Sequence, residues 1–184
     1  PNCTPEGTPT TEAVIVNDGA LKNVFVYVKD GLGMLRFPVP AAPVVLDQRG
    51  CRYMPHVLGI QVGQPLEILN SDPTLHNVHA LAASNREFNM GQPRQGMRHT
   101  HTFGTAEVLV PFKGDVHGWM RAFVGVVEHP FHAVTSDTGT FDLTGLPPGT
   151  YTIEAIHETL GAKTQTVTIG AKETKDLPFS FTAP

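Results

Sequence analysis

Short stretches rich in β-branched and aromatic residues recur along the chain, each bounded by Gly, Pro, Asn or Asp, and this pattern predicts β-strands. In one of them, Tyr151, Ile153 and Ala155 alternate with the intervening positions, which indicates a strand with one buried face. No window shows a sustained helical period, so we predict an all-β protein with at most a short helical turn near Ser84–Phe88. The predicted strands are residues 24–28, 57–62, 66–69, 107–110, 121–127, 151–156 and 164–169.

Two styles of sequence divide the chain, and the division predicts two domains. Residues 43–128 hold most of the histidines and every methionine except Met34. The flanking residues 11–40 and 129–183 are plainer β-rich sequence with the turn sequences DTG and PPG. We therefore predict a middle domain inserted into a discontinuous flanking domain.

Composition and charge narrow the class of protein. With 184 residues, of which 40% are hydrophobic and 16% charged, the chain is expected to be globular with an ample core. The formal net charge of −4 and the lack of a basic run argue against a nucleic-acid partner. No stretch of about 18 apolar residues occurs, so no membrane span is expected. Because the sequence opens at Pro1 without a methionine or a signal peptide, we expect a mature, processed or trimmed chain.

Cys3 and Cys51 are the only two cysteines. Two cysteines in an all-β chain suit one disulfide that ties the N-terminal arm to the body, and such a bond implies an oxidising compartment. Two unrelated buried thiols are the alternative. Neither cysteine lies near residues 112–120 in sequence, and Cys51 is assigned to the disulfide rather than to a metal.

Two short motifs place histidine and methionine beside predicted strands. Residues 73–78 read PTLHNV, and residues 112–120 read FKGDVHGWM after the apolar run VLVP. His117 and Met120 are three residues apart, a spacing at which one loop can turn two soft ligands toward one metal ion. These motifs are the candidate metal-binding sequences of the chain.

Together with the strand signals around them, the two motifs resemble the cupredoxins of the plastocyanin and amicyanin type. The resemblance implies a Greek-key β-sandwich over residues 43–128 and a copper cofactor. Carried over position by position, it implies that His76, His117 and Met120 are copper ligands. It also implies that Asn77 hydrogen-bonds between the two ligand loops and holds their geometry.

The same resemblance requires a copper-binding cysteine at position 114, where this chain has glycine. Without that thiolate, two imidazoles and a thioether suit Cu(I) better than Cu(II), so we predict no intense blue absorption and an open thiolate position at Gly114. A Gly114→Cys change with added Cu(II) is then expected to produce the blue colour. Gly114 fits either a variant whose thiolate has been removed or a natural protein that stores, delivers or senses copper.

The flanking sequences resemble a second family. Residues 19–31 supply a V-x-V strand, and residues 133–170 supply D-x-G-x-F and L-P-P-G-x-Y, as in carboxypeptidase regulatory-like, transthyretin-type β-sandwiches. The resemblance implies a second, smaller β-sandwich. The combined layout is similar to bacterial secreted cupredoxin-like proteins and implies a periplasmic or extracellular location.

The remaining histidines are interpreted as structural or surface residues. His79 follows His76 by three positions and should point to the opposite face of a strand. If residues 98–103 form a strand, His99 and His101 share one face of it. Such a solvent-facing pair could bind a metal adventitiously, but the interpretation as surface residues is favoured.

Three functions from different classes fit these observations. The leading hypothesis is a secreted copper protein on an electron-transfer scaffold, with a redox partner protein docking on an apolar rim of Leu75 and Trp119 around His117. A copper carrier or storage protein with a copper-delivery partner is the second, and a structural β-sandwich protein with a vestigial metal site is the third. No carboxylate pair, Ser/His/Asp set or phosphate-binding glycine loop stands out, so no enzyme activity is expected.

Overall fold

The computed structural model describes Cys3 and residues 13–182 of the chain. Its strands, in chain order, are β1 (Val16–Asn17), β2 (Ala20–Leu21), β3 (Phe25–Asp30), β4 (Val44–Arg49), β5 (Arg52–Met54), β6 (Val57–Gln61), β7 (Pro65–Asn70), β8 (His76–Ala80), β9 (Phe88–Gln92), β10 (Arg98–Thr102), β11 (Glu107–Lys113), β12 (Arg121–Val127), β13 (His132–Val134), β14 (Gly149–His157) and β15 (Gly161–Ile169). No residue in this part of the chain is helical, and the predicted all-β class is confirmed. Accordingly, no helix within the described ranges has the length and hydropathy needed to cross a membrane.

The chain divides into two compact units. One contains Pro38–Glu128, and we term it the central unit. The other contains Ala13–Phe37 and the chain from His129 onward, and we term it the flanking unit.

Two sheets form the central unit. Strands β10, β7, β4 and β5 lie side by side in one sheet, and strands β6, β12, β11, β8 and β9 form the other. The pairs β4–β7 and β6–β12 are parallel, whereas the other neighbours are antiparallel. Alternate side chains from both sheets, among them Leu66, Ile68, Val124 and Val126, are fully buried in one core. This inward alternation from two sheets is the arrangement of a β-sandwich.

The flanking unit has its own sheet and its own core. Strands β13, β3, β14 and β15 form one antiparallel sheet, and β1 and β2 form a separate hairpin. Tyr151, Ile153 and Ala155 on β14 are buried, as their alternation predicted. Leu177 and Phe179, beyond β15, pack against the same core. The transthyretin-type identity of this unit stays a prediction.

The short helical turn that the sequence allows near Ser84–Phe88 does not form. The backbone N–H groups of Ala83, Ser84 and Asn85 instead donate to the carboxylate of Glu107, at 2.6 to 3.0 Å. Three N–H groups aimed at one carboxylate form a compact loop, because the carboxylate replaces the partners that a helix would offer.

Candidate metal centre

Strand pairing in the central unit brings the two histidine motifs together. Strand β8 begins at His76 and runs antiparallel to β11, so the start of β8 lies beside the end of β11. The loop that follows β11 carries His117 and leads into β12. The sheet thus places His76 and His117, 41 residues apart in sequence, at one end of neighbouring strands.

His76 and His117 face each other through their ring nitrogens. The two Nδ1 atoms lie 3.1 Å apart, and the ring planes are inclined by 67°. His76 is fully buried, whereas His117 is partly exposed. Two facing imidazole nitrogens can share one proton, or they can bind one metal ion in its place.

A carboxylate fixes the tautomer of His76. Oδ2 of Asp72 lies 2.8 Å from Nε2 of His76. Burial alone would raise the pKa of Asp72, but hydrogen bonds from the Cys51 N–H, the His76 ring and the Gly50 N–H bring this pKa below its ordinary value. An ionised carboxylate can only accept, so Nε2 of His76 donates the proton and Nδ1 presents a lone pair toward His117.

The surroundings of His117 favour its neutral form. Burial lowers the pKa of His117, and the nearby His76 lowers it further, against a smaller opposing effect of Asp72. Metal ions bind the neutral imidazole, so this environment keeps His117 available as a ligand.

Asn77 joins β8 to the loop between β11 and β12. Its Oδ1 accepts hydrogen bonds from the N–H groups of Asp115 and Val116, at 2.8 and 2.9 Å, and its Nδ2 donates to the Asp115 carboxylate at 3.3 Å. The Tyr53 hydroxyl adds a second bridge, lying 2.7 Å from the carbonyl oxygen of Asn77 and 3.0 Å from that of Lys113. The loop is therefore attached to β8 on the side of Asn77.

The carboxylate of Asp115 is the centre of an exposed polar cluster. A hydrogen bond from Lys113 lowers the pKa of Asp115 to about 2, against a smaller effect of desolvation, and Asn89 and His79 also donate to it. His79 lies between this carboxylate and that of Glu87, at 3.0 and 2.6 Å. The structure thus gives His79 two acidic partners on this side of the strand.

The loop closes on itself at Gly114. The Gly114 N–H donates to the carbonyl oxygen of Met120 at 3.0 Å, and the Met120 N–H donates to that of His117 at 2.9 Å. A Cβ atom at position 114 would lie 2.8 Å from the His117 carbonyl oxygen and 3.3 Å from the Met120 Cβ. A side chain at position 114 would therefore require the backbone of the loop to shift, and the open thiolate position of the metal site stays a prediction.

Met120 ends this loop inside the protein. Its side chain is only 1% exposed and belongs to the apolar core of the central unit. The backbone hydrogen bond to His117 keeps the two residues in one turn. The Met120 thioether is therefore shielded from solvent, three residues after His117 and in the same turn.

The disulfide lies beside the histidine pair. The predicted bond between Cys3 and Cys51 is confirmed. Sγ of Cys3 lies within 4.8 Å of ring nitrogens of both His76 and His117, and Sγ of Cys51 lies within 4.8 Å of a His76 nitrogen and an Asp72 oxygen. Both cysteines are far from residues 112–120 in sequence, but the fold brings their sulfurs close to the histidine pair.

Exposed apolar side chains neighbour the two histidines in sequence, and one of them, Trp119, lies against the ring of His117. Leu75 and Trp119 are 42% and 54% exposed, and Val116 is 52% exposed. The Trp119 ring centre lies 5.2 Å from that of His117, and its Nε1 donates to the carbonyl oxygen of Cys51 at 3.0 Å. The indole is thus attached to the disulfide segment while its face remains accessible.

The remaining predicted surface pair lies on β10. His99 is exposed, and His101 is half-buried with its ring centre 4.2 Å from that of Phe88. Burial lowers the pKa of His101, and the neighbouring His99 lowers it further. His101 thus packs partly against an aromatic ring, whereas His99 is exposed.

The residues of the pair fit a single small metal ion. Metal–nitrogen bonds of about 2.0 Å at a tetrahedral angle place two ligand nitrogens about 3.3 Å apart. The observed separation of 3.1 Å is close to that value. A soft set of imidazole nitrogen with nearby sulfur is typical of copper sites.

No family model and no curated protein matches the chain. Among solved structures, a copper-containing nitrite reductase from Thermus scotoductus SA-01 is similar, with 22% identity and a TM-score of 0.45 over 52% of this chain and 26% of that one. This chain thus spans about a quarter of the length of that reductase. A reduced mutant of amicyanin is 26% identical, with a TM-score of 0.41 over 48% of this chain and 85% of that one. A novel purple cupredoxin from Nitrosopumilus maritimus is 22% identical, with a TM-score of 0.39 over 46% of this chain and 98% of that one.

Proposed function

We propose that the central unit binds copper through the Nδ1 atoms of His76 and His117, with Met120 as a weaker sulfur ligand. The observation that carries this proposal is the 3.1 Å separation of the two Nδ1 atoms. Asp72 adds support, because its hydrogen bond to Nε2 of His76 leaves the Nδ1 lone pair free to bind a metal. Copper would supply a one-electron couple at this position.

The ligand set favours the reduced metal. Two imidazoles and a thioether are soft donors that satisfy Cu(I) at low coordination, and the loop at Gly114 offers no thiolate to stabilise Cu(II). Because Met120 is buried and His117 is partly exposed, a redox partner or a copper-delivery partner would approach from the side of His117. Leu75 and Trp119 provide the apolar surface on that side.

A binding experiment tests the copper site. Cu(I) affinity is measured by competition with a chromogenic chelator for the wild type, His117→Gln and a matched control, His99→Gln. His117→Gln removes one of the two facing nitrogens, and we expect at least a tenfold loss of affinity, since loss of an outer-shell partner alone costs about 10- to 100-fold. His99 is exposed on β10, so its substitution should leave affinity unchanged. Equal affinities in all three proteins would overturn the proposed site.

Electron transfer and copper carriage are the two uses of such a site that we propose, in that order. Both fit a periplasmic or extracellular protein, because the Cys3–Cys51 disulfide requires an oxidising compartment. Potentiometry separates them: an electron carrier has a reversible couple with fast self-exchange, whereas a carrier binds Cu(I) and passes it to a chelator or partner without redox turnover. A structural protein with a vestigial site would show neither behaviour.

A further inference from the structure

The disulfide places a cysteine sulfur close to both histidines of the proposed copper site. Cys3 is distant in sequence from the loop that carries His117, yet its sulfur lies within 4.8 Å of ring nitrogens of both histidines. Gly114, by contrast, has no room for a Cβ atom against the His117 carbonyl. The sulfur nearest to both histidines among the described cysteines therefore comes from the N-terminal arm.

We propose that reduction of the Cys3–Cys51 disulfide turns Cys3 into an additional copper ligand, so that the disulfide switches the site between a form without a thiolate and a form with one. This inference rests on the proposed copper site at His76 and His117. Cys3 would then supply the copper-binding thiolate that the resemblance to cupredoxins expects at position 114.

The two sulfurs are not equivalent in this geometry. The Cys3 sulfur shares its neighbourhood with both His76 and His117, whose Nδ1 atoms face each other. The Cys51 sulfur shares its neighbourhood with His76 and Asp72, where the Nε2 proton of His76 is already donated to the carboxylate. Cys3 is therefore on the side of the two facing Nδ1 atoms, and Cys51 is on the side of the carboxylate.

Reduction of the disulfide takes two electrons and two protons, which a dithiol supplies. In the oxidised chain the sulfurs are bonded to each other, and neither is a thiolate. A dithiol gives two electrons and two protons to the bond, is itself oxidised to a disulfide, and leaves two thiols at Cys3 and Cys51. Cys3 then releases its thiol proton to solvent as its sulfur binds copper. A thiolate is the softest ligand in the set and favours copper strongly.

The two single cysteine variants make a matched test. Cys51→Ser leaves Cys3 as a permanent thiol, and Cys3→Ser leaves only Cys51. Co(II) serves as the probe, because it does not oxidise thiols and its thiolate complexes show sulfur-to-metal charge-transfer absorption. We expect that absorption in Cys51→Ser without any reductant, and its absence in Cys3→Ser and in the oxidised wild type.

Reduction of the wild type provides an independent test that needs no substitution. The wild type is reduced with a phosphine, which is removed before metal is added, and colorimetric titration should then find two thiols. Added Co(II) should now produce the charge-transfer band, and Cu(I) affinity should rise about tenfold over the oxidised protein. Far-UV circular dichroism checks that every form keeps its strands. A reduced, folded wild type without the band would overturn the switch, as would equal bands in the two cysteine variants.

Cu(I) affinity tests the copper site, and the sulfur charge-transfer band tests the thiolate switch, so the two results are distinguishable. Loss of Cu(I) affinity in oxidised His117→Gln, together with no sulfur band in Cys51→Ser, would keep the copper site and remove the switch. Unchanged affinity in His117→Gln would remove the copper site itself.

Discussion

Asp72 accepts a hydrogen bond of 2.8 Å from Nε2 of His76. The same carboxylate accepts the N–H groups of Gly50 and Cys51, each at 2.8 Å. One side chain thus sets the tautomer of a proposed ligand and holds the segment that carries the disulfide.

The first prediction follows from those contacts. Both carboxylate oxygens of Asp72 accept hydrogen bonds. In Asp72→Asn the side-chain NH₂ group replaces one of these oxygens, so two hydrogen-bond donors would face each other there. We expect Cu(I) affinity to fall about 10- to 100-fold, as for other carboxylates behind a histidine ligand. Chelator competition measures the change, and the exposed Asp142→Asn is the control. Equal affinity in Asp72→Asn and the wild type would contradict the assigned role.

The second prediction concerns Gly114. Because a Cβ atom there would lie 2.8 Å from the His117 carbonyl, both Gly114→Ala and Gly114→Cys should lower the free energy of unfolding, by about 1 to 3 kcal/mol. Gly118→Ala is the control, since nothing lies within 4 Å of a Cβ at that position. Urea unfolding measures the three variants. The blue colour expected of Gly114→Cys with added Cu(II) stays a prediction, and a folded variant that binds copper and remains colourless would contradict the site assignment.

Asn77 and Asn89 give the third prediction, because both contact the Asp115 carboxylate. Asn77→Ala removes the acceptor of two backbone N–H groups, so it should cost about 1 to 3 kcal/mol of unfolding free energy. Asn89→Ala removes two side-chain bonds of an exposed residue, one to the Asp115 carboxylate and one from Nδ2 of Asn77. It leaves both backbone N–H groups bonded to Asn77, so it should cost less than about 1 kcal/mol. Chemical denaturation followed by Trp119 fluorescence reports the central unit, since Trp119 is the only tryptophan. Similar losses in both variants would argue against a special role for Asn77.

The fourth prediction is a pH dependence in the flanking unit. Burial lowers the pKa of His132 to about 4 from 6.5, with a further contribution from His129. Between these two pH values the unfolded chain binds a proton that the folded chain does not, so the free energy of unfolding falls as the pH falls. The slope from this group is about 1.4 kcal/mol per pH unit, and it vanishes above 6.5 and below 4.

His132→Phe tests that dependence, because it keeps an aromatic ring beside Phe25 and cannot titrate. Urea unfolding followed by circular dichroism should show a smaller slope in the variant than in the wild type between pH 6.5 and 4. Trp119 fluorescence, which reports the central unit, should give the same pH profile in both proteins. Parallel slopes by circular dichroism would contradict the assignment to His132.

Local patterns predicted the strands well where one face is apolar. The alternation in residues 151–156 became the buried face of β14, and the apolar runs at 57–62 and 121–127 became the parallel neighbours β6 and β12. Strand β10 has an RHTHT sequence with polar side chains at every position, so it lacked the apolar signal that identifies a strand. Pairing with β7, which no local pattern encodes, makes it a strand.

The candidate site was predictable only in part, because its contacts join distant parts of the chain. Motif order pointed to His76 and His117, and the structure brings their rings together. Asp72 was missed, although it precedes His76 by four residues and a carboxylate at that distance is a usable signal. The approach of Cys3 and the backbone that closes over Gly114 depend on tertiary packing, which the linear sequence does not display.

The meeting of His76 and His117 through β8 and β11 also makes the metal a reporter of the folded state. An unfolded chain separates the two rings by 41 residues and cannot hold one ion between them at the same strength. Any metal bound there therefore adds stability by mass action, about 2.7 kcal/mol at a free concentration 100 times its Kd. The melting temperature of the central unit should rise with free metal, so a series of thermal scans would serve as a binding titration.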